Sequence, residues 1–150
     1  MSNLRELYQE LILDHNKNPR NFGRPPHPTH EAHGYNPLCG DRVTVYLSLD
    51  GDRVEDVRFE GKGCAISTAS ASMMTQMLKG KTVAECDAIF SNFHDLVTGK
   101  SCPVESLNQL GKLAVFGGVR DFPARVKCAT LAWHTVQAAL HGQTDPVSTE

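Results

Sequence analysis

An α+β fold, with a small antiparallel sheet of about three strands packed against helices, is predicted by how the hydrophobic period changes along these 150 residues. Residues 42–59 alternate apolar and polar side chains around an Asp50-Gly51 turn, the mark of a half-buried hairpin. The stretches on either side repeat at three and four residues instead, as amphipathic helices do. Strands and helices are therefore segregated along the chain, which favours α+β over alternating βαβ units.

Ser2–Asn16 reads as a helix, with Leu4, Leu7, Tyr8, Leu11 and Ile12 on one side and Ser2 or Asn3 as its cap. Pro19 and Gly23 end it. Arg24–Asn36 carries Pro25-Pro26 and the histidines His27, His30 and His33, and reads as an extended, irregular arm. An ordinary polar arm is favoured over an extra metal site for these three. Val43, Val45 and Leu47 form the inner side of one strand. Val54, Val57 and Phe59 form a second, whose imperfect alternation accommodates a bulge.

Gly61-Lys62-Gly63 breaks that strand. Ile66–Leu78 is the next helix, with Ser67 or Thr68 as cap and Ala69, Met73, Met74 and Met77 on its apolar side. Thr82 with Glu85 three residues on has capping-box spacing, and Val83, Cys86, Ile89, Phe90 and Phe93 supply a buried stripe. A break over Gly99–Pro103 leads to a helix over Val104–Phe116, with Leu107, Leu110, Leu113 and Ala114 on one side and Gly117-Gly118 as its stop. The last helix starts near Ala124 or Val126 and reaches Leu140. Residues 143–150 have nothing to pack and are expected to be a flexible tail on one domain, 1–150.

Fifteen Lys+Arg against seventeen Asp+Glu, and 40% hydrophobic residues, exclude a highly charged disordered chain or a nucleic-acid coat. No broad basic stripe points to nucleic acid. Apolar runs stop well short of the roughly 20 residues a bilayer crossing needs. Leu4, Leu7, Leu11 and Ile12 are interleaved with Arg5, Glu6 and Glu10, so no secretory leader is expected. The expected location is the cytoplasm, where five cysteines, an odd number, are more consistent with thiols than with a disulfide framework. Neither a phosphate loop nor a serine–base arrangement is visible.

Three cysteines stand at element boundaries: Cys39 before the first confident strand, Cys64 after the second, and Cys128 near the start of the last helix. A hairpin brings its two ends together, so Cys39 and Cys64 meet at one end of the sheet. Cys128 joins them only if the last helix docks its N-terminus there. Asp41, two residues from Cys39, points to the same side in extended backbone. Three thiolates and a carboxylate suit tetrahedral zinc, while thiolates equally suit an iron–sulfur cluster, so donor type alone does not choose. Taken singly, each cysteine reads as an inert buried thiol and Asp41 as a turn residue. Cys86 falls on a buried stripe and reads as packing, Cys102 as non-catalytic, and Trp133 as core. His94, His134 and His141 read as helix or surface residues.

Four segments together carry a family resemblance: Asp14-His15-Asn16 followed by Asn18-Pro19-Arg20-Asn21; Asn36-Pro37-Leu38-Cys39-Gly40-Asp41; Gly61-Lys62-Gly63-Cys64-Ala65-Ile66-Ser67; and Arg125-Val126-Lys127-Cys128-Ala129-Thr130-Leu131-Ala132-Trp133. Over nearly its whole length the chain resembles the SufU/IscU-type (NifU N-terminal-like) iron–sulfur cluster assembly proteins. The resemblance implies a SufE/NifU-like sandwich domain and Cys39, Asp41, Cys64 and Cys128 as metal-site residues.

Classical IscU scaffolds carry a histidine where Lys127 stands, and the additional sequence around Val104–Gly118 is SufU-like, so the resemblance is nearest the zinc-binding SufU branch. It implies zinc, sulfur taken from a SufS-like cysteine desulfurase, and delivery to a downstream iron–sulfur assembly scaffold. It also implies that a desulfurase histidine replaces Cys39 on zinc and frees it as the nucleophile. His15 is expected to anchor the first helix or touch a partner. Arg125 and Lys127 form a small basic patch suited to a persulfide or an acidic surface. The alternatives are a scaffold for a transient [2Fe–2S] cluster and a zinc-stabilised interaction protein without turnover.

Overall fold

The computed structural model describes residues 3–100, 108–143 and 146–148. Its elements run α1 (Asn3–Lys17), β1 (His30–Asn36), β2 (Asp41–Asp50), β3 (Arg53–Lys62), α2 (Ala65–Leu78), α3 (Val83–Thr98), a 3₁₀ segment (Gly111–Val119), α4 (Pro123–Leu140) and β4 (Val147–Ser148). The sheet order is β3-β2-β1-β4. The first three strands are antiparallel, and β4 lies parallel to β1. This is the α+β sheet-and-helix architecture expected, made mixed by the two-residue β4 drawn from the tail read as having nothing to pack. The Ser2 cap, Cys102 and the first residues of the Val104–Phe116 helix lie outside the described residues.

The β2–β3 hairpin follows from local chemistry. Asp50 pairs with Arg53, so the turn residues are Gly51-Asp52, one position later than the sequence suggests. Gly51 takes φ +63°, which a residue without Cβ adopts freely. The pairing shifts between Ser48–Asp56 and Leu49–Val54, leaving Glu55 as the extra residue of a bulge in β3. Val43, Val45, Leu47, Val54, Val57 and Phe59 are all buried under the helices.

The second half of the expected arm is a strand, β1. Its inward positions are Ala32, Gly34 and Asn36, too small or too polar to display a hydrophobic period of two. Gly34 has a packing reason: a Cβ there would stand 2.0 Å from Thr135 Oγ1. The missing side chain lets α4 lie across β1 and β2. That docking carries Cys128 to the end of the sheet.

The chain from Gly111 differs from expectation too. It forms a 3₁₀ helix that runs through Gly117-Gly118 instead of stopping there. Leu110, Leu113, Phe116 and Val119 are spaced by three and all buried, so one side of a three-residue turn faces the core. In the core Trp133 stacks on Phe93 with centroids 4.4 Å apart, and its indole N–H donates to Ser70 Oγ at 3.0 Å. Thr82 and Glu85 form the expected capping box on α3.

Candidate metal centre

Cys39 lies in the short connection from β1 to β2. Gly40 holds φ +74° and donates its N–H to Asn36 O at 2.8 Å, closing a tight turn that leaves Cys39 exposed. Asn36 and Asp41 face each other at the end of the ladder, and both are wholly buried. Asn36 Nδ2 donates to Asp41 Oδ2 at 3.3 Å and to Cys128 Sγ at 3.7 Å, while its Oδ1 accepts the Leu38 N–H. One amide thus orients the carboxylate, a thiol and the Cys39 loop.

Asp41 Oδ1 accepts the backbone N–H of Cys64 at 2.9 Å, and Cys64 Sγ lies 4.0 Å from Asp41 Oδ2. The approach is permitted by Gly63, where a Cβ would stand 2.7 Å from Asp41 Oδ1. Cys64 is itself the N-cap of α2, its sulfur accepting the Ser67 N–H at 3.4 Å. The sequence placed that cap at Ser67 or Thr68. A thiol from Cys128 and then the Ser67 N–H hold the Cys64 thiol below its usual range, as the positive end of a helix should. The same pairing and burial push Cys128 upward. Two facing thiols cannot both ionise easily without a cation between them.

Cys128 is buried in the second turn of α4, with its sulfur 3.5 Å from that of Cys39. Donor atoms of Cys39, Asp41 and Cys128 all lie within 4.8 Å of one another, and Cys64 borders that group through Asp41. Thiolates on one tetrahedral zinc stand roughly 3.8 Å apart when zinc–sulfur bonds are about 2.3 Å. The Cys39–Cys128 sulfur separation of 3.5 Å is close to that spacing. The donor set therefore fits a soft or borderline ion.

The NifU-like N-terminal domain family model matches residues 7–129, a span that holds all four donors and Asn36. The chain belongs to this family. It is 46% identical over 139 residues to the zinc-dependent sulfurtransferase SufU of Bacillus subtilis, covering 93% of this chain and 92% of that protein. It is 38% identical to the iron–sulfur cluster assembly scaffold protein IscU of Streptococcus pyogenes, covering 93% and 86%. Among solved structures, a putative iron–sulfur cluster assembly scaffold protein for the SUF system from Fervidobacterium islandicum superposes with TM-score 0.83 at 38% identity, covering 91% of this chain and 98% of that one. A NifU-like N-terminal protein from Brucella abortus gives 0.80 at 28%, covering 91% and 93%.

In this NifU-like domain the remaining residues singled out by sequence fall into distinct places. His15 is buried, and its Nδ1 meets Ser72 Oγ at 2.7 Å, so it ties α1 to α2. Arg125 lies over the Phe122 ring at 4.4 Å, at the exposed start of α4, and Lys127 is half-buried next to Cys128. Cys86 is buried, which pushes its thiol up to about 11. His30 and His33 lie on opposite faces of β1, their spacing of three being odd in a strand; His33 engages Thr44 and Glu31. Asn36 opens the Asn36–Asp41 segment, and residue type alone assigns it no chemistry. Its signal is position: it is the residue that pairs with Asp41 across the Cys39 turn.

Proposed function

We propose that this domain is a zinc-dependent sulfur-transfer protein that takes persulfide sulfur from a cysteine desulfurase onto Cys39 for iron–sulfur cluster assembly in the cytoplasm. The observation that carries the reading is the contrast among the gathered donors. Asp41 and Cys128 are buried and Cys64, though exposed, is tied down as the N-cap of α2, whereas Cys39 is exposed on a glycine turn. The B. subtilis relative's name, zinc-dependent sulfurtransferase, supports it. Among the described residues no helix is long and apolar enough to cross a membrane.

Cys39, Asp41, Cys64 and Cys128 would hold the zinc. Bound there, the ion supplies charge that keeps the thiols deprotonated and the three chain segments together, without redox chemistry. The transfer itself belongs to Cys39. Its thiolate attacks the outer sulfur of the donor's persulfide, a new S–S bond forms on Cys39, and the donor cysteine leaves as a thiolate. No electrons are gained or lost. Asn36 and Asp41 position the loop, and the Arg125–Lys127 patch favours an anionic persulfide or an acidic surface. Leu38, 61% exposed beside Cys39, and Phe122, 47% exposed at the start of α4, offer apolar anchors to the desulfurase.

X-ray absorption on protein purified without added metal tests the first half, with one zinc per chain and sulfur scatterers expected. A site without zinc–sulfur scattering, or one still filled after Cys64→Ser with Cys128→Ser, overturns it. Desulfurase turnover tests the second half: the zinc-loaded protein should raise it. If iron and sulfide instead displace zinc and build a cluster that passes intact to an acceptor, the domain is a scaffold.

A further inference from the structure

A second set of donor atoms lies away from the thiols. His94 on α3 and His134 on α4 line one cavity of about 650 Å³, with ring centroids 5.7 Å apart. Phe90 packs on both, 5.8 Å from His94 and 5.3 Å from His134, and so holds the two imidazoles against one wall. Gln137 lines the same cavity. It follows His134 by three residues, which puts the two on one face of α4. Its Oε1 is buried without a hydrogen-bond partner. A buried acceptor left so calls for a donor or a cation.

Burial, and then the neighbouring His94, lower the basicity of His134, so its ring keeps a free lone pair near neutral pH. His141, at the cavity's edge, is already turned to Asp87 Oδ1 at 3.1 Å. Six residues along α4 separate His134 from Cys128, about 9 Å of helix, so this cavity is no part of the thiol site.

We propose that His94, His134 and Gln137 Oε1 form a second, imidazole-based site for a borderline divalent transition-metal ion of the zinc or nickel class, with water completing its shell. Imidazole nitrogen suits such ions. With metal–nitrogen bonds of about 2.0–2.1 Å, two imidazoles sharing one ion put their ring centres roughly 5–6 Å apart. The observed separation already meets that requirement. Two imidazoles and an amide bind more weakly than thiolates, so this site fills after the cysteine site.

Zinc is the probe, added to protein that already holds its tightly bound equivalent. Equilibrium dialysis should show a further equivalent taken up at micromolar zinc, and imidazole ¹⁵N resonances of His94 and His134 should shift together. His94→Ala with His134→Ala should weaken that uptake at least tenfold while leaving the thiol-bound zinc in place. If that double variant misfolds, His94→Gln and the wild-type resonances decide the matter. Uptake unchanged in the variant, no further equivalent, or shifts confined to His27, His30, His33 or His141 would overturn the assignment.

Discussion

The carboxylate of Asp41 accepts the backbone N–H of Cys64 at 2.9 Å, joining the first residue of β2 to the N-cap of α2. One buried side chain therefore couples the sheet end to the helix that presents a thiol. Hydrogen bonds to charged groups contribute about 1.5–3 kcal/mol, and losing the partner of a buried one costs the desolvation as well. Asp41→Ala should lower the thermal midpoint by several degrees and weaken zinc retention at least tenfold in chelator competition. Gly63→Ala should do the same without removing a donor group, because its methyl displaces Asp41. Calorimetry with competing chelator checks both, and an unaffected Gly63→Ala would contradict the coupling.

Gly34 and Thr135 should behave as a pair. Gly34→Ala drives a methyl to within 2.0 Å of Thr135 Oγ1, and overpacking of this kind costs about 1–3 kcal/mol. Thr135→Ala removes the obstructing oxygen and should restore part of the loss. Denaturant unfolding of the double-mutant cycle should give a coupling energy of at least about 0.5 kcal/mol, and simple additivity would contradict the close approach of α4 to β1.

Acid should weaken the fold through two histidines held neutral. Burial lowers the basicity of His15, with Arg20 next in effect, and burial also lowers that of His134. The unfolded chain takes up protons at these groups near pH 6.5 while the folded chain does not. Their stabilisation is thus complete above about pH 6.5 and falls as pH drops toward the lowered folded values. Urea midpoints from pH 7.5 to 5 should show this decline. His15→Asn, which can keep a bond to Ser72, should flatten it; a slope identical to wild type would contradict a neutral buried His15.

Thiol reactivity should separate Cys86 from the site. Its thiol is buried and pushed up to about 11. Alkylation of chelated, folded protein at neutral pH should label the exposed Cys39 and Cys64 and leave Cys86 unmodified, as read by peptide mass mapping. Early labelling of Cys86 would contradict the burial.

What could be read from the chain was whatever local chemistry controls. The β2–β3 hairpin, its bulge and the Thr82–Glu85 capping box follow from residues a few positions apart. Strand β1 escaped because its inward side chains are Ala32, Gly34 and Asn36, whose fit depends on α4, a hundred residues later. The 3₁₀ segment escaped because Leu110, Leu113 and Phe116 suit an α-helix nearly as well as a three-residue turn. Cys39 and Cys64 were legible as neighbours through the hairpin. The place of Cys128 rests on the docking of α4, which local sequence does not specify. His94 and His134, forty residues apart on different helices, gave no local signal at all.

Sulfur acceptance on Cys39 is the central claim, and locating the sulfur tests it most directly. The zinc-loaded protein is incubated with its cysteine desulfurase and cysteine, then digested and mapped by mass spectrometry under non-reducing conditions. The account predicts one added sulfur atom on Cys39, absent in Cys39→Ser, which should also fail to stimulate desulfurase turnover. Added sulfur found only on Cys86 or Cys102, or turnover unchanged by Cys39→Ser, would contradict it.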